Sequence, residues 1–132
     1  MKKLFLFGFI LSLLIFSNCS NSDAVNSRAL EVVKKFNSKC PMVVDSETRI
    51  DGIEMKKPNT ILYKYTLVNL SVESVDTASF ARALKPGIIS TLKTNGDIKD
   101  FKDQNATFEY LYNDKNNKFI YLFKITPKDY NP

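Results

Sequence analysis

Three carboxylates and a guanidinium alternate in the stretch Asp45-Ser46-Glu47-Thr48-Arg49-Ile50-Asp51. In extended backbone alternate side chains fall on one face, which puts Asp45, Glu47, Arg49 and Asp51 together, opposite Ser46, Thr48 and Ile50. A planar guanidinium among carboxylates could orient a polar ligand, and the carboxylates with carbonyl oxygens could hold a hard cation. The spacing fits no compact calcium-binding loop, so no metal site is expected. Two readings stand: a solvated strand face whose Arg is neutralised by its neighbours, and a small-ligand or ion-binding face. The second candidate for chemistry is Cys40. The chain has no His, so the thiol lacks the commonest activating base. Unpaired Cys is among the most buried residue types, and Cys40 is expected to pack as a small hydrophobe. Without a catalytic motif, the expectation is a noncatalytic protein that needs no cofactor.

The third chemical signal is aromatic. Tyr63 and Tyr65 alternate with Ile61 and Leu67 on one face of a strand from Thr60 to Asn69. Phe108, Tyr110 and Tyr112 do the same in a later one, and Phe119, Tyr121, Phe123 and Ile125 in its partner across the turn Asn113-Asp114-Lys115-Asn116-Asn117. Such a face could stack on sugars or bases, but it more often packs under a helix.

Two helices must supply that cover. From about Ala24 to Ser38, Val25, Ala29, Val32, Val33 and Phe36 form one helical stripe, with Asp23 as a cap and Pro41 as the stop. Phe80, Leu84, Ile88 and Leu92 recur every four residues in a second helix, which Asp76 caps and Asn95-Gly96 ends. Pro86 interrupts that pattern and predicts a kink or two short pieces. The order is helix, strand, strand, helix, strand, strand. This predicts an α+β domain, a four-stranded antiparallel sheet with helices packed on one face, over residues 24–130. A sheet face or edge left uncovered would suit a partner.

Ahead of this domain, Lys2 and Lys3 precede an apolar run from Leu4 to Phe16 and a polar stretch Ser17-Asn18-Cys19-Ser20. The run is too short to span a bilayer permanently, which takes roughly 20 apolar residues. It has the make-up of a cleaved export signal. The formal net charge is +5. Setting aside Lys2 and Lys3 leaves 17 basic against 14 acidic side chains. These are scattered, and no nucleic-acid footprint appears.

Ile15-Phe16-Ser17-Asn18-Cys19 resembles a bacterial lipobox, in which the Cys receives diacylglycerol and begins the mature chain. The resemblance implies a signal over 1–18, a tether over 19–23 and lipidation at Cys19, with the bilayer as a partner. Each buried methylene contributes about 0.8 kcal/mol, and more than one acyl chain makes the anchor stable. Ser20 following Cys19 is similar to lipoproteins sent on to the outer membrane. The alternative is a cut after Ser20-Asn21-Ser22, giving a soluble periplasmic or secreted binder or inhibitor. Cys40-Pro41-Met42, Thr48-Arg49-Ile50-Asp51 and the Tyr-rich strand Leu62-Tyr63-Lys64-Tyr65-Thr66-Leu67 resemble a pattern of small uncharacterised exported bacterial proteins, which brings no activity with it. Asp76-Thr77-Ala78 is similar to an O-glycosylation acceptor of some Bacteroidetes, although capping accounts for Asp76. Together these features predict a lipid-anchored envelope module that binds a protein or glycan.

Overall fold

The structure is a computed structural model that describes residues 21–56 and 59–131, with side-chain environments from residue 27 onward. The signal segment, Cys19 and the start of the tether lie outside the described residues. The chain runs α1 (Asn21–Asn37), β1 (Met42–Val43), β2 (Thr48–Lys56), β3 (Thr60–Leu67), a 3-10 turn (Val72–Ser74), α2 (Thr77–Thr94), α3 (Lys99–Asp103), β4 (Thr107–Asn113), β5 (Phe119–Ile125) and α4 (Pro127–Tyr130). The α+β class stands. The sheet, however, has five strands in the order β1-β2-β3-β4-β5, and β3 pairs with β4 in parallel. A four-stranded, wholly antiparallel sheet is therefore corrected on both counts. Between β3 and β4 the chain leaves at the Leu67 end, crosses through α2 and α3 and re-enters at the end where β3 began, so Thr60 faces Thr107. A helical crossover of that kind joins parallel neighbours, whereas antiparallel ones are joined by a tight turn.

One face of the sheet is covered. Ile50, Ile53 and Met55 of β2 lie under Val33 and Phe36 of α1. Phe80 of α2 meets Tyr112 and Phe123 edge-on or tilted, at centroid distances of 5.2 and 6.0 Å. Ile50 and Ile53 share this face because a bulge at Asp51 shifts the alternation, pairing Ile50 with Tyr65 and Ile53 with Tyr63. The bulge is fixed by Asn37, the last residue of α1. Its side-chain amide donates to the Ile53 carbonyl and its Oδ1 accepts from the Ile53 N–H, both at 2.8 Å. A glycine at position 52 lets that amide approach, since a Cβ there would lie 3.1 Å from Asn37 Oδ1.

Of the stripe expected on α1, Ala29 and Val33 are buried, but Val32 is 45% exposed. Helix α1 packs on β2 and α3, so it covers one margin of the sheet and buries only a narrow strip. Helix α2 packs on β5 and α4 and runs unbroken through Pro86. Its start is capped by Asp76, which accepts from the N–H groups of Ala78 and Ser79 at 3.0 and 3.3 Å. At its end the Lys102 ammonium donates to the carbonyls of Leu92 and Asn95 at 2.9 Å, satisfying groups the helix leaves open.

The turn after β4 is organised by Asp114, a fully buried carboxylate. It accepts from the N–H groups of Val72, Asn116 and Lys118 at 2.8–2.9 Å. Burial raises the pKa of such a carboxyl, but these donors and the Lys118 charge outweigh it and hold the pKa below the usual range.

Candidate binding groove

The alternating acidic stretch divides in the structure. Asp45 and Glu47 belong to the turn between β1 and β2, where Asp45 Oδ1 accepts from the Glu47 N–H at 2.8 Å. Arg49 and Asp51 lie in β2 and pair at 2.5 Å. Asp51 also accepts from the Thr66 hydroxyl at 2.6 Å. This pair sits on the uncovered sheet face with two more, Lys56–Glu109 at 2.7 Å and Lys64–Glu54 at 2.6 Å. The Lys64 hydrogen bond and charge lower the Glu54 pKa. Each of these pairs spends its charge on a cross-strand or near neighbour, so the face is a self-neutralised ladder. Among the described residues no group of three acidic or thiol side chains is placed to hold a metal ion.

Cys40 follows α1 and is half-buried. Its thiol donates to the Phe36 carbonyl at 3.6 Å. Burial, with the nearby Asp51 charge, pushes its pKa up, which disfavours the nucleophilic thiolate. Thr77 is exposed at the start of α2.

The more specific arrangement lies on the covered face. Parallel pairing sets Tyr63 beside Tyr110 and Tyr65 beside Tyr112. Each of these pairs stacks with ring centroids 4.9 Å apart and planes within 7–11°. Tyr65 and Tyr110 stack diagonally at 6.2 Å. The four rings form a two-by-two array whose faces are turned to one another, leaving edges and hydroxyls toward the helices. A sugar or base needs a free ring face, so the array is not a stacking platform.

Above the array α1 and α2 stand apart on opposite margins of the sheet. A groove of about 310 Å³ remains, floored by Tyr65, Tyr110 and Tyr112 and walled by Ala83, Leu84, Gly87 and Ile88 of α2. Ala29 of α1 and Leu92 of α2 belong to one buried cluster that also holds Ile98 and Phe101. Among the described residues none of the four tyrosine hydroxyls has a hydrogen-bond partner, and none is sealed from solvent. Burial pushes the pKa of Tyr63 up to about 12. Burial and the Asp45 charge do the same for Tyr112. The pKa values of Tyr65 and Tyr110 are raised further, again chiefly by burial. These phenols stay protonated at neutral pH, and those of Tyr65, Tyr110 and Tyr112 present donors to the groove.

The faces of these strands were legible in the sequence. Their meeting was not, because it depends on the parallel pairing of β3 and β4.

A five-stranded sheet backed on one face by helices is an α+β architecture that this chain shares with solved bacterial proteins. The chain superposes on a putative secreted protein from Pseudomonas aeruginosa with a TM-score of 0.60 at 12% identity, covering 83% of this chain and 95% of that one. It matches the type II secretion system pilotin EpsS of Vibrio vulnificus with a TM-score of 0.62 at 9% identity, over 83% and 94% of the two chains. The pilotin AspS of Vibrio cholerae gives 0.58 at 11% identity, over 81% and 93%. These likenesses are of fold. No curated protein matches the chain in sequence. Residues 24–122 match the family described as "Domain of unknown function (DUF8479)", and the chain belongs to it.

Proposed function

We propose that this protein is a noncatalytic lipoprotein of the bacterial cell envelope, anchored at the outer membrane through acylated Cys19, that binds a peptide segment of another envelope protein in the groove between α2 and the tyrosines of the sheet. The observation that carries the reading is the floor of that groove, where aligned phenol donors without protein partners lie against an apolar wall of Leu84 and Ile88. An apolar wall beside a few placed polar groups is the make-up of a binding cleft. A peptide supplies both halves of the match, apolar side chains for the wall and acceptors for the hydroxyls. Unpaired donors in a half-buried site make binding selective, because a ligand lacking the acceptors leaves them unsatisfied. Two of the structures sharing the fold are secretion-system pilotins, which favours an envelope protein over a free metabolite. The absence of His from the sequence and the raised Cys40 pKa support a noncatalytic role.

The test is site-specific photocrosslinking in living cells from position 83 on the groove wall, combined with Gly87→Trp. A Cβ at Gly87 meets no atom within 4 Å, so a side chain can be introduced there at the edge of the groove, and circular dichroism verifies the fold of the variant. The expected result is an adduct with one envelope protein that disappears in Gly87→Trp while the chain stays folded and abundant. An adduct pattern indifferent to Gly87→Trp would overturn the groove assignment. Intact mass of the membrane-extracted protein, with Cys19→Ala alongside, tests the anchor. An unacylated wild type would replace the lipoprotein with a soluble periplasmic or secreted binder.

A further inference from the structure

The outer side of α2 faces away from the groove and carries a different signal. This helix holds Arg82, Lys85 and Lys93 and no acidic residue over Thr77–Thr94. Beyond Cys19 the chain has 17 basic and 14 acidic side chains, so outside α2 the two signs balance at 14 each. The excess positive charge of the mature chain therefore resides on this one helix. The three cations share a single helical face with Pro86 and Ile89, and among the described residues only α2 lines that surface. Arg82 and Lys93 are about 16 Å apart along the axis, at 1.5 Å per residue. A basic stripe with apolar residues between its charges complements an anionic surface that has an apolar layer beneath it.

We infer that the outer face of α2 docks on an anionic phospholipid surface, with Arg82, Lys85 and Lys93 at the headgroups and Ile89 between them. Nearby acids do not cancel the stripe. Asp129 of α4 feels the charge of Lys85, but its carboxylate is already held by the N–H and hydroxyl of Thr126 at 2.7 and 2.8 Å. Asp76 is occupied in capping. The lipid anchor proposed at Cys19, on which this choice of occupant rests, holds the chain at a bilayer and favours a membrane over an acidic protein. Ala83 and Gly87 lie about 100° around the helix from Arg82 and Pro86, so docking leaves the groove open along the membrane plane.

The experiment is sedimentation of the chain from Ser20 onward, which retains every described element, with phosphatidylcholine vesicles and with vesicles that also contain phosphatidylglycerol. The expected result is binding to the anionic vesicles only, weakened by added salt. Each basic residue at such a surface contributes about fivefold, so replacing Arg82, Lys85 and Lys93 together by Gln lowers partitioning by on the order of a hundredfold. The control replaces three exposed lysines elsewhere, Lys34, Lys115 and Lys124, by Gln for the same change of net charge. Circular dichroism verifies the fold of both variants. Retained binding in the control supports the assignment. An equal loss in the control, equal binding to neutral vesicles, or no binding overturns it. Because Gly87→Trp leaves the outer face intact, it keeps vesicle binding, and failure of the groove reading stays separate from failure of this one.

Discussion

Replacing Asn37 by Ala tests how the domain holds its first helix on the sheet. The side chain makes two hydrogen bonds to Ile53, accepting from its N–H and donating to its carbonyl, each at 2.8 Å. A net hydrogen bond contributes about 1 kcal/mol, and a half-buried partner left unpaired raises the loss toward about 2 kcal/mol. Asn37→Ala is thus expected to cost about 2–4 kcal/mol and to lower Tm by roughly 10–20 °C for a domain of this size. Gly52→Ala destabilises by two routes. Its φ of +159° is one that side chains other than Gly rarely adopt, and its new Cβ would stand 3.1 Å from Asn37 Oδ1. The first effect costs on the order of 1–3 kcal/mol and persists whatever occupies position 37. The second vanishes when Asn37 is truncated. The double variant should therefore be more stable than the sum of the single losses by at least about 0.5 kcal/mol. Urea unfolding followed by circular dichroism measures all four corners of the cycle. A loss below about 0.5 kcal/mol for Asn37→Ala, or strict additivity, would refute the claim that this amide clamps α1 onto the bulge.

Two tyrosine truncations separate free from paired hydroxyls. Tyr112→Phe is expected to change stability by less than about 0.5 kcal/mol because its hydroxyl has no partner, whereas Tyr130→Phe is expected to cost about 1–2 kcal/mol, since the Tyr130 hydroxyl donates to the buried Ala106 carbonyl at 2.6 Å; thermal melts compare the two. Gly87→Ala, in open space on α2, should stabilise by about 0.4–1 kcal/mol through the unfolded chain and the helix propensity of Ala, and a lowered Tm would contradict the open groove. Alkaline pH should unfold the domain by a defined route. With folded pKa values of about 12 for Tyr63 and Tyr112 against about 10 when unfolded, their contribution is full below pH 10 and is lost as pH rises toward 12. Tyrosinate absorbance should therefore appear together with loss of circular dichroism, and ionisation of all tyrosines at their ordinary pKa in a folded chain would refute the burial of the array.

The sequence made side-chain faces legible and left strand partners unresolved. Tyr63, Tyr65, Tyr110 and Tyr112 fall on inward faces by simple alternation, but alternation says nothing of whether β3 and β4 run together or opposed. That is decided by the length of the α2–α3 crossover, and only the parallel register brings Tyr63 to Tyr110. Alternation predicts an extended stretch from Asp45, yet Met42 and Val43 pair back onto Ile50 and Arg49, which makes the intervening residues a turn. Asp45 followed by Ser46 carried a turn signal, since an Asp side chain binds the backbone two residues on, as it does here to Glu47. The phase shift at Asp51 was hidden for a similar reason. A bulge adds one residue to one strand without altering its composition, and Gly52 was the single local mark of it.

The groove and the basic stripe put opposite demands on α2, and the helix meets them by being thinly buried. Leu92 is its only buried residue, so the sides of the helix turned away from the core remain available for contact. Its sheet side retains Phe80, Leu84 and Ile88 as partly buried packing, enough to hold its register over β5 without filling the space above the tyrosines. A bulky residue in place of Gly87 would close that space, and acidic residues among Arg82, Lys85 and Lys93 would erase the stripe, yet neither change touches the core. On the two readings proposed above, the composition of α2 answers to what surrounds the helix rather than to what it packs against. A surface selected only for solubility would mix both signs of charge along such a helix, and α2 carries one.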